Sequence, residues 1–119
     1  MINGINSREM ILEILLEIEE GEHSHVAIRN ALSKYQFLPK QDRAFITRVC
    51  EGTLEYRIQI DYIINSFSKV TVDKMKPAIR EILRSAVYQL KYMDSVPDSA
   101  VCNEAVKLAQ RKGFYNLKP

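Results

Sequence analysis

Apolar residues in this chain recur every three or four positions and almost never alternate with polar ones. The clearest example is the set Met10, Ile11, Ile14, Leu15 and Ile18, which would line one face of a helix. Only four Gly and four Pro interrupt 119 residues, so helices meet few breaks. No alternating stretch has the length of a useful strand, and no segment repeats. The sequence therefore predicts an all-α fold, a compact bundle of about six helices.

Capping and breaking residues mark where these helices begin and end. Ser, Asn and Asp satisfy free N–H groups at helix starts, Pro suits the first turn, and Gly often follows the last turn. The predicted helices run from a cap at Asn6 or Ser7 to Gly21, from a cap at Ser24 through a pattern that fades between Lys34 and Leu38, from Pro39 as the first helical residue to about Tyr56, from Ile58 to Phe67, from Pro77 to Leu90, and from a cap at Asp98 or Ser99 to Gly113.

The fifth predicted helix has the longest apolar pattern, which places it at the centre of the bundle. Gly52, inside the third helix, lowers helix stability by about 1 kcal/mol relative to Ala, so we expect a neighbouring helix to pack closely there. The apolar stripe of the fifth helix comprises Met75, Ile79, Ile82, Leu83, Ala86, Val87 and Leu90.

Length and composition favour one globular domain spanning residues 1–119. Charged residues interrupt every apolar run before the roughly 18 residues that a membrane span needs, so no membrane association is expected. No secretory signal is visible at the amino terminus. Cys50 and Cys102 have no metal-ligand spacing, which indicates buried free thiols and a cytoplasmic location.

The sequence offers no complete catalytic or metal site. Cys50 and Cys102 are each preceded by Val, and neither has the basic surroundings that activate a thiol. His23 and His25, with Glu22, could bind a metal weakly, although a solvated loop explains them as well. No Gly-rich phosphate loop or dinucleotide motif is present. We therefore predict no catalytic residue, no metal and no cofactor in this chain.

The basic residues of the fifth helix suggest a polyanionic ligand. Lys76, Arg80 and Arg84 are spaced four apart, and Lys91 and Tyr88 fall beside them, so they could form a cationic ridge that tracks phosphates. The alternative is that Arg80 and Arg84 pair with acidic residues of the first helix, such as Glu13 or Glu17.

Two further basic clusters have the same two interpretations, RNA contact or ordinary solvated surface. Aromatic rings beside cations suit looped or single-stranded RNA, where bases can stack. One cluster comprises Lys107, Arg111, Lys112 and Lys118 with Phe114 and Tyr115, and the other comprises Lys40, Arg43, Arg48 and Arg57. A third possibility is a protein-binding module whose acidic first helix meets a basic partner.

The segment from Ile79 to Ala109, IREILRSAVYQLKYMDSVPDSAVCNEAVKLA, resembles the signature of the NusB-like family. Its features are an arginine-containing apolar helix, a turn ending in Val96 and Pro97, and then the run from Asn103 to Val106. Arg8, Gly52, Ile60, Asp61 and Ile64 also fall where that family has them. The chain is more similar to the amino-terminal domain of the bacterial 16S rRNA cytosine-5 methyltransferases than to the stand-alone transcription antitermination factors.

The resemblance implies an RNA-binding accessory domain without catalytic activity of its own. Its partners would be 16S rRNA and a carboxyl-terminal methyltransferase domain of the same polypeptide, and S-adenosylmethionine would bind to that domain. Because both family branches continue with another helix, we expect the chain to be a fragment. The RNA-binding residues predicted are Arg43, Arg48, Lys76, Arg80, Arg84, Tyr88, Lys91, Lys107, Arg111 and Lys112.

Overall fold

The computed structural model describes residues 6–113, which form six α-helices, a short 3-10 turn and no strand. This confirms the predicted all-α bundle. Phe114, Tyr115 and Lys118 of the predicted basic and aromatic end lie outside the described residues. The helices are α1 (Ser7–Glu19), α2 (Ser24–Lys34), α3 (Lys40–Glu55), α4 (Arg57–Phe67), α5 (Pro77–Tyr92) and α6 (Asp98–Arg111), with the 3-10 turn at Val72–Lys74.

The cap of α1 and the stops after α1 and α6 lie where the sequence predicts them. The Asn6 side chain accepts a hydrogen bond from the Glu9 backbone N–H at 2.8 Å. Gly21 and Gly113 have φ values of +117° and +88°, a left-handed conformation that side chains disfavour. Pro77 occupies the first turn of α5, as predicted.

Three other predicted helix starts are wrong by one residue. Ser24 and Asp98 are the first helical residues, and His23 and Pro97 precede them without a capping side-chain bond. Pro39 precedes α3 in the same way. In each case the start is held by packing of the apolar face and not by a capping side chain.

The core lies between α1, α3, α4 and α5. Ile11 and Ile14 of α1 are 1% exposed, and they belong to one apolar cluster with Ile46 and Val49 of α3 and Ile60 of α4. On the other side of α1, a smaller cluster comprises Leu12, Ile82, Leu108 and Ala109. The helix α1 is therefore buried on two sides.

The helix α5 packs against α1, α3, α4 and α6, which confirms its predicted central position. Its predicted apolar stripe is only partly correct. Leu90 is 39% exposed and Met75 precedes the helix, whereas the polar residues Glu81, Ser85 and Gln89 are buried. The four neighbouring helices bury polar residues of α5 as well as its apolar residues.

The directions of the helices decide which basic residues share an end of the bundle. Arg8, at the start of α1, donates to Gln89 near the end of α5, so α1 and α5 are antiparallel. Leu108 packs with Ile82, and a short connection joins the end of α5 to the start of α6, so α6 is also antiparallel to α5. The carboxyl end of α6 therefore lies at the opposite end of the bundle from Lys91.

None of the helices in the described part of the chain combines the length and the apolar character needed to cross a membrane.

Candidate nucleic-acid interface

Arg84 is held inside the bundle by two carboxylates. Its Nε and Nη2 donate to the two oxygens of Asp61 in α4, both at 2.8 Å, and its Nη1 donates to Glu81 at 2.7 Å. The side chain is 11% exposed. This bidentate geometry satisfies the guanidinium fork and joins α4 to α5.

Arg80 has a comparable structural position one turn earlier. It forms an ion pair with Glu19 at the end of α1, and its Nη1 donates to the carbonyls of Val72 and Met75 at 2.9 and 3.0 Å. Arg80 therefore ties the 3-10 turn and the end of α1 to the start of α5. Both Arg80 and Arg84 are thus paired with acidic residues, as the alternative interpretation proposed. The acidic residues are Glu19, Asp61 and Glu81, and not the predicted Glu13 or Glu17.

The predicted cationic ridge along α5 is consequently wrong as a description of the surface. Arg80 and Arg84 point into the bundle, and Tyr88 is 6% exposed. Lys76 and Lys91, at the two ends of α5, are separated by about 22 Å of helix. The flank that was predicted to face solvent faces α1 and α4.

The two carboxyl groups near Arg80 and Arg84, those of Glu19 and Glu81, have pKa values shifted in opposite directions. Burial, and then a hydrogen bond to Glu19, raise the pKa of Glu81 to about 8. Partial burial disfavours the charged form of Glu19, but its hydrogen bonds to Arg80 and Glu81 and the charges of Arg80 and Arg84 together outweigh this, so the pKa of Glu19 lies below its usual range. At neutral pH Glu81 is therefore mainly the protonated member of the pair.

Two arginines of α3 satisfy carbonyl groups at the ends of other helices. Arg43 donates from Nη1 to the carbonyls of Leu32 and Tyr35, at 2.9 and 3.2 Å, at the end of α2. Arg48 donates from Nη2 to the carbonyl of Tyr92 at 3.2 Å, at the end of α5. Arg43 is half-buried, whereas Arg48 is exposed and could contact a ligand as well.

Three near-parallel tyrosine rings lie beside Arg48, and we call Tyr56, Tyr88 and Tyr92 the tyrosine cluster. The Tyr56 and Tyr92 centroids are 4.5 Å apart with planes 18° from parallel, and Tyr88 lies 5.3 Å from Tyr92. The Tyr92 hydroxyl donates to Gln59 of α4. Lys91 places its Nζ 5.6 Å from the Tyr92 ring centroid.

Gly52 makes the tyrosine cluster possible, which confirms the close packing predicted there. A Cβ atom on Gly52 would lie 2.1 Å from Cζ of Tyr88. Tyr56 and Tyr92 were not among the predicted site residues. The sequence signal that could have indicated Tyr92 is its position four residues after Tyr88, on the same face of a helix. No local sequence pattern links Tyr56 to Tyr88 or Tyr92.

The basic residues at the end of α6 are displayed to solvent as predicted. Lys107, Arg111 and Lys112 are exposed, and Lys107 pairs with Glu104 at 3.5 Å while its side chain stays 61% exposed. Within residues 6–113, Arg111 and Lys112 have no ion-pair partner. These three residues, which we call the α6 basic end, are the cations of the predicted set that lie closest together in the sequence.

Cys50 is a buried free thiol, and burial raises its pKa, so the thiolate that a nucleophile needs is disfavoured. Cys102 is also free but exposed, against the prediction, because its side of α6 faces solvent. His23 and His25 are exposed, and residues 6–113 contain no group of three metal-ligating side chains.

The chain resembles two kinds of known protein. Probable ribosomal RNA small subunit methyltransferase B from Bacillus subtilis is 31% identical over 92% of this chain, and its counterpart in Synechocystis is 33% identical over 95%. The chain spans about a quarter of the length of these two proteins, 24% and 25%. Transcription antitermination protein NusB from Bacillus velezensis is 32% identical over 90% of this chain and 80% of its own length.

A structural neighbour has the same fold at low sequence identity. It is a chain of a crystal structure of the antitermination factors NusB and NusE in complex with dsRNA, with a TM-score of 0.83 over 92% of this chain and 83% of that chain. The two sequences are 17% identical. The NusB family model matches residues 5–118, nearly the whole sequence, and the chain therefore belongs to the NusB family.

Proposed function

We propose that this chain is an RNA-binding domain that positions 16S rRNA for a cytosine-5 methyltransferase domain in the same polypeptide. The observation that carries the proposal is the similarity to two rRNA methyltransferases over 92% and 95% of the chain. In those proteins a region of this size occupies about a quarter of the length, which leaves room for a separate catalytic part.

The charges that remain on the surface support this function. Phosphate contacts by Lys and Arg raise affinity and fix the register of an RNA without reading its sequence. Arg48 and Lys91 lie at one end of the bundle and the α6 basic end lies at the other, so an RNA could be held at two points. Arg80 and Arg84 are not expected to contact the RNA, because they already form ion pairs with carboxylates inside the bundle.

The same proposal assigns the chemistry to another domain. S-adenosylmethionine and the reacting base would bind to the methyltransferase domain, and the residues of this chain would supply affinity and orientation. Cys50 is unsuited as a nucleophile because it is buried and its pKa is raised. The domain is therefore expected to bind RNA without modifying it.

Titration of the chain with a helical-junction fragment of 16S rRNA at about 50 and about 200 mM salt tests the proposal. If three or more phosphates are neutralised, the affinity should fall by at least about tenfold between these concentrations. Absence of binding, or affinity that does not change with salt, would reject RNA binding.

A second candidate function is that of a stand-alone antitermination factor, which would bind a short RNA together with a small ribosomal protein. The specific observation in its favour is that the NusB protein of Bacillus velezensis is 32% identical over 90% of this chain, which is as similar as the two methyltransferases are. Competition between the 16S fragment and a transcribed leader RNA, with and without the ribosomal protein, separates the two. Preference for the leader only when the ribosomal protein is present would favour this second function.

A further inference from the structure

The tyrosine cluster continues to the surface at Tyr56, which is 38% exposed. We infer that an unpaired RNA base stacks on the exposed ring of Tyr56, which Tyr92 backs from the other side, with its neighbouring phosphates on Arg48 and Lys91. The inference rests on the proposed function, because its ligand is RNA, and it adds a base-binding site that phosphate contacts alone do not require.

The rings are fixed before any ligand arrives. Tyr92 is held at both ends, by its hydroxyl bond to Gln59 and by the Arg48 bond to its carbonyl. Tyr88 supports it from the core side, where the absence of a Cβ on Gly52 lets the ring approach α3. A rigid stacking surface loses little conformational entropy on binding, so more of the stacking energy appears as affinity.

The surroundings of the rings differ from those of a simple core edge. Closing the core between α3, α4 and α5 requires apolar neighbours, but the rings are bordered by two exposed cations. Arg48 contacts the Tyr92 carbonyl at 3.2 Å, and the Lys91 Nζ lies 5.6 Å from the Tyr92 centroid. Rings next to cations are the arrangement that binds unstacked nucleotides, because every base has a π-face and is followed by a phosphate.

Acidic residues nearby restrict the direction of the RNA. Glu51 and Glu55 line an open groove of about 610 Å³ together with Arg48 and Tyr88. Their carboxylates repel phosphates from that part of the groove, so the backbone should follow the side of Arg48 and Lys91. The base, which carries no net charge, can approach Tyr56 despite Glu55.

Binding of a fluorescein-labelled single-stranded RNA of about ten nucleotides tests the site, with Tyr56→Leu as the variant. Leu keeps the apolar contact but removes the ring, so the affinity should fall by about tenfold. Tyr62→Leu is the matched control, because Tyr62 is 75% exposed on α4 and stands outside the cluster. Its affinity should stay within about twofold of wild type. Circular dichroism checks that both variants keep their helices.

A second measurement uses the intrinsic emission of the chain, which contains six Tyr and no Trp. Stacking of a base should quench tyrosine emission with the single strand and much less with the same strand in a duplex, where the bases are already stacked. Tyr56→Leu should remove most of this difference.

The outcomes separate the two proposals. If wild type binds RNA but Tyr56→Leu and Tyr62→Leu bind equally well, the stacking site is overturned and the proposed function stands. If wild type binds neither the single strand nor the 16S fragment, both are overturned. If Tyr56→Leu does not fold, the emission of the wild-type chain decides, and equal quenching by single strand and duplex overturns the site.

Discussion

Gly52 and Tyr88 set the distance between α3 and α5. We predict that Gly52→Ala destabilises the domain by about 1–3 kcal/mol, because the new methyl group would overlap the Tyr88 ring and the overpacked helices must separate. The free energy of unfolding, measured by urea denaturation, checks this value.

The same substitution in a Tyr88→Ala background is the control. Once the ring is gone, Ala at position 52 should stabilise α3 by up to about 1 kcal/mol through its higher helix propensity. A loss of stability in both backgrounds would contradict the assigned cause, since the cost would then have nothing to do with the Tyr88 ring.

Arg84 is a second residue whose role follows from its contacts. We predict that Arg84→Met lowers the free energy of unfolding by more than about 2 kcal/mol, because the Asp61 carboxylate loses its cation and Glu81 loses a hydrogen-bond donor in a mostly buried place. Arg84→Lys should restore only part of this, since an ammonium cannot bind Asp61 bidentately.

Arg48→Met is the comparison for Arg84, because Arg48 is exposed and caps a single carbonyl. Its loss should amount to about 1 kcal/mol or less. Equal destabilisation by the two substitutions would argue against a structural role specific to Arg84. For the same reason, a charge reversal at Arg84 reports on stability and is a poor test of RNA binding.

These residues show how far local sequence reasoning reaches. The spacing of Arg80 and Arg84 is visible in the sequence, and so is their position on the flank of an apolar stripe. Glu81, a partner of Arg84, is only three residues away on the same helix. Glu19 and Asp61 are 61 and 23 residues away from their arginines, in α1 and α4, and no local pattern reveals that they face them. The close packing at Gly52 was predictable because its signal, a glycine inside a helical pattern, is local, although the ring that packs there belongs to Tyr88 of α5.

At the scale of one helix, the central position of α5 explains why the sequence predicted its buried face incorrectly. Apolar periodicity locates the side of a helix that prefers the core, as it does for Met10, Ile11, Ile14 and Leu15 of α1. The helix α5 has neighbours on four sides, so Glu81, Ser85 and Gln89 are buried with it. A central helix has no free side on which its polar residues can reach water.

Burial of Glu81 should make the stability of the bundle depend on pH. Its pKa is about 8 in the folded chain against an ordinary value of 4.5, so between these pH values the folded state binds more protons than the unfolded state. The Glu81 contribution to stability is therefore present at low pH and is lost as pH rises through about 8. We expect the free energy of unfolding to be at least about 1 kcal/mol lower at pH 8 than at pH 5.

Glu81→Gln keeps the shape without the titrating proton and should flatten this dependence, while Glu13→Gln, an exposed position on α1, should leave it unchanged. Glu19 acts in the opposite sense, since its lowered pKa makes its contribution decline only as pH falls through acidic values. A wild-type stability that rises between pH 5 and pH 8 would contradict the assignment of the proton to Glu81.

At the scale of the whole molecule, helix number and order follow from the sequence, whereas the electrostatic surface does not. Helix order needs only local periodicity and the positions of Gly and Pro. The surface depends on which cations are consumed by contacts between helices, and those contacts exist only in the assembled bundle. Arg43, Arg80 and Arg84 are used in this way, while the α6 basic end stays available because α6 packs mainly on α5 and α1.

If the α6 basic end holds RNA, the position of its charges should matter and not only their number. We predict that the triple substitution of Lys107, Arg111 and Lys112 by Gln reduces the salt slope of RNA binding by about two to three, or about 0.9 for each phosphate that is no longer neutralised. A control substitutes three other exposed cations, Arg29, Lys34 and Lys40, by Gln. Both variants lower the net charge of +2 by the same three charges, so bulk attraction is matched. The control should keep most of the wild-type slope, because Arg29 and Lys34 lie on α2 and Lys40 begins α3, and these two helices pack mainly on α1, α5 and each other, away from α6. Equal reduction of the salt slope in both variants would mean that net charge alone attracts the RNA. That result would reject the α6 basic end as a binding site.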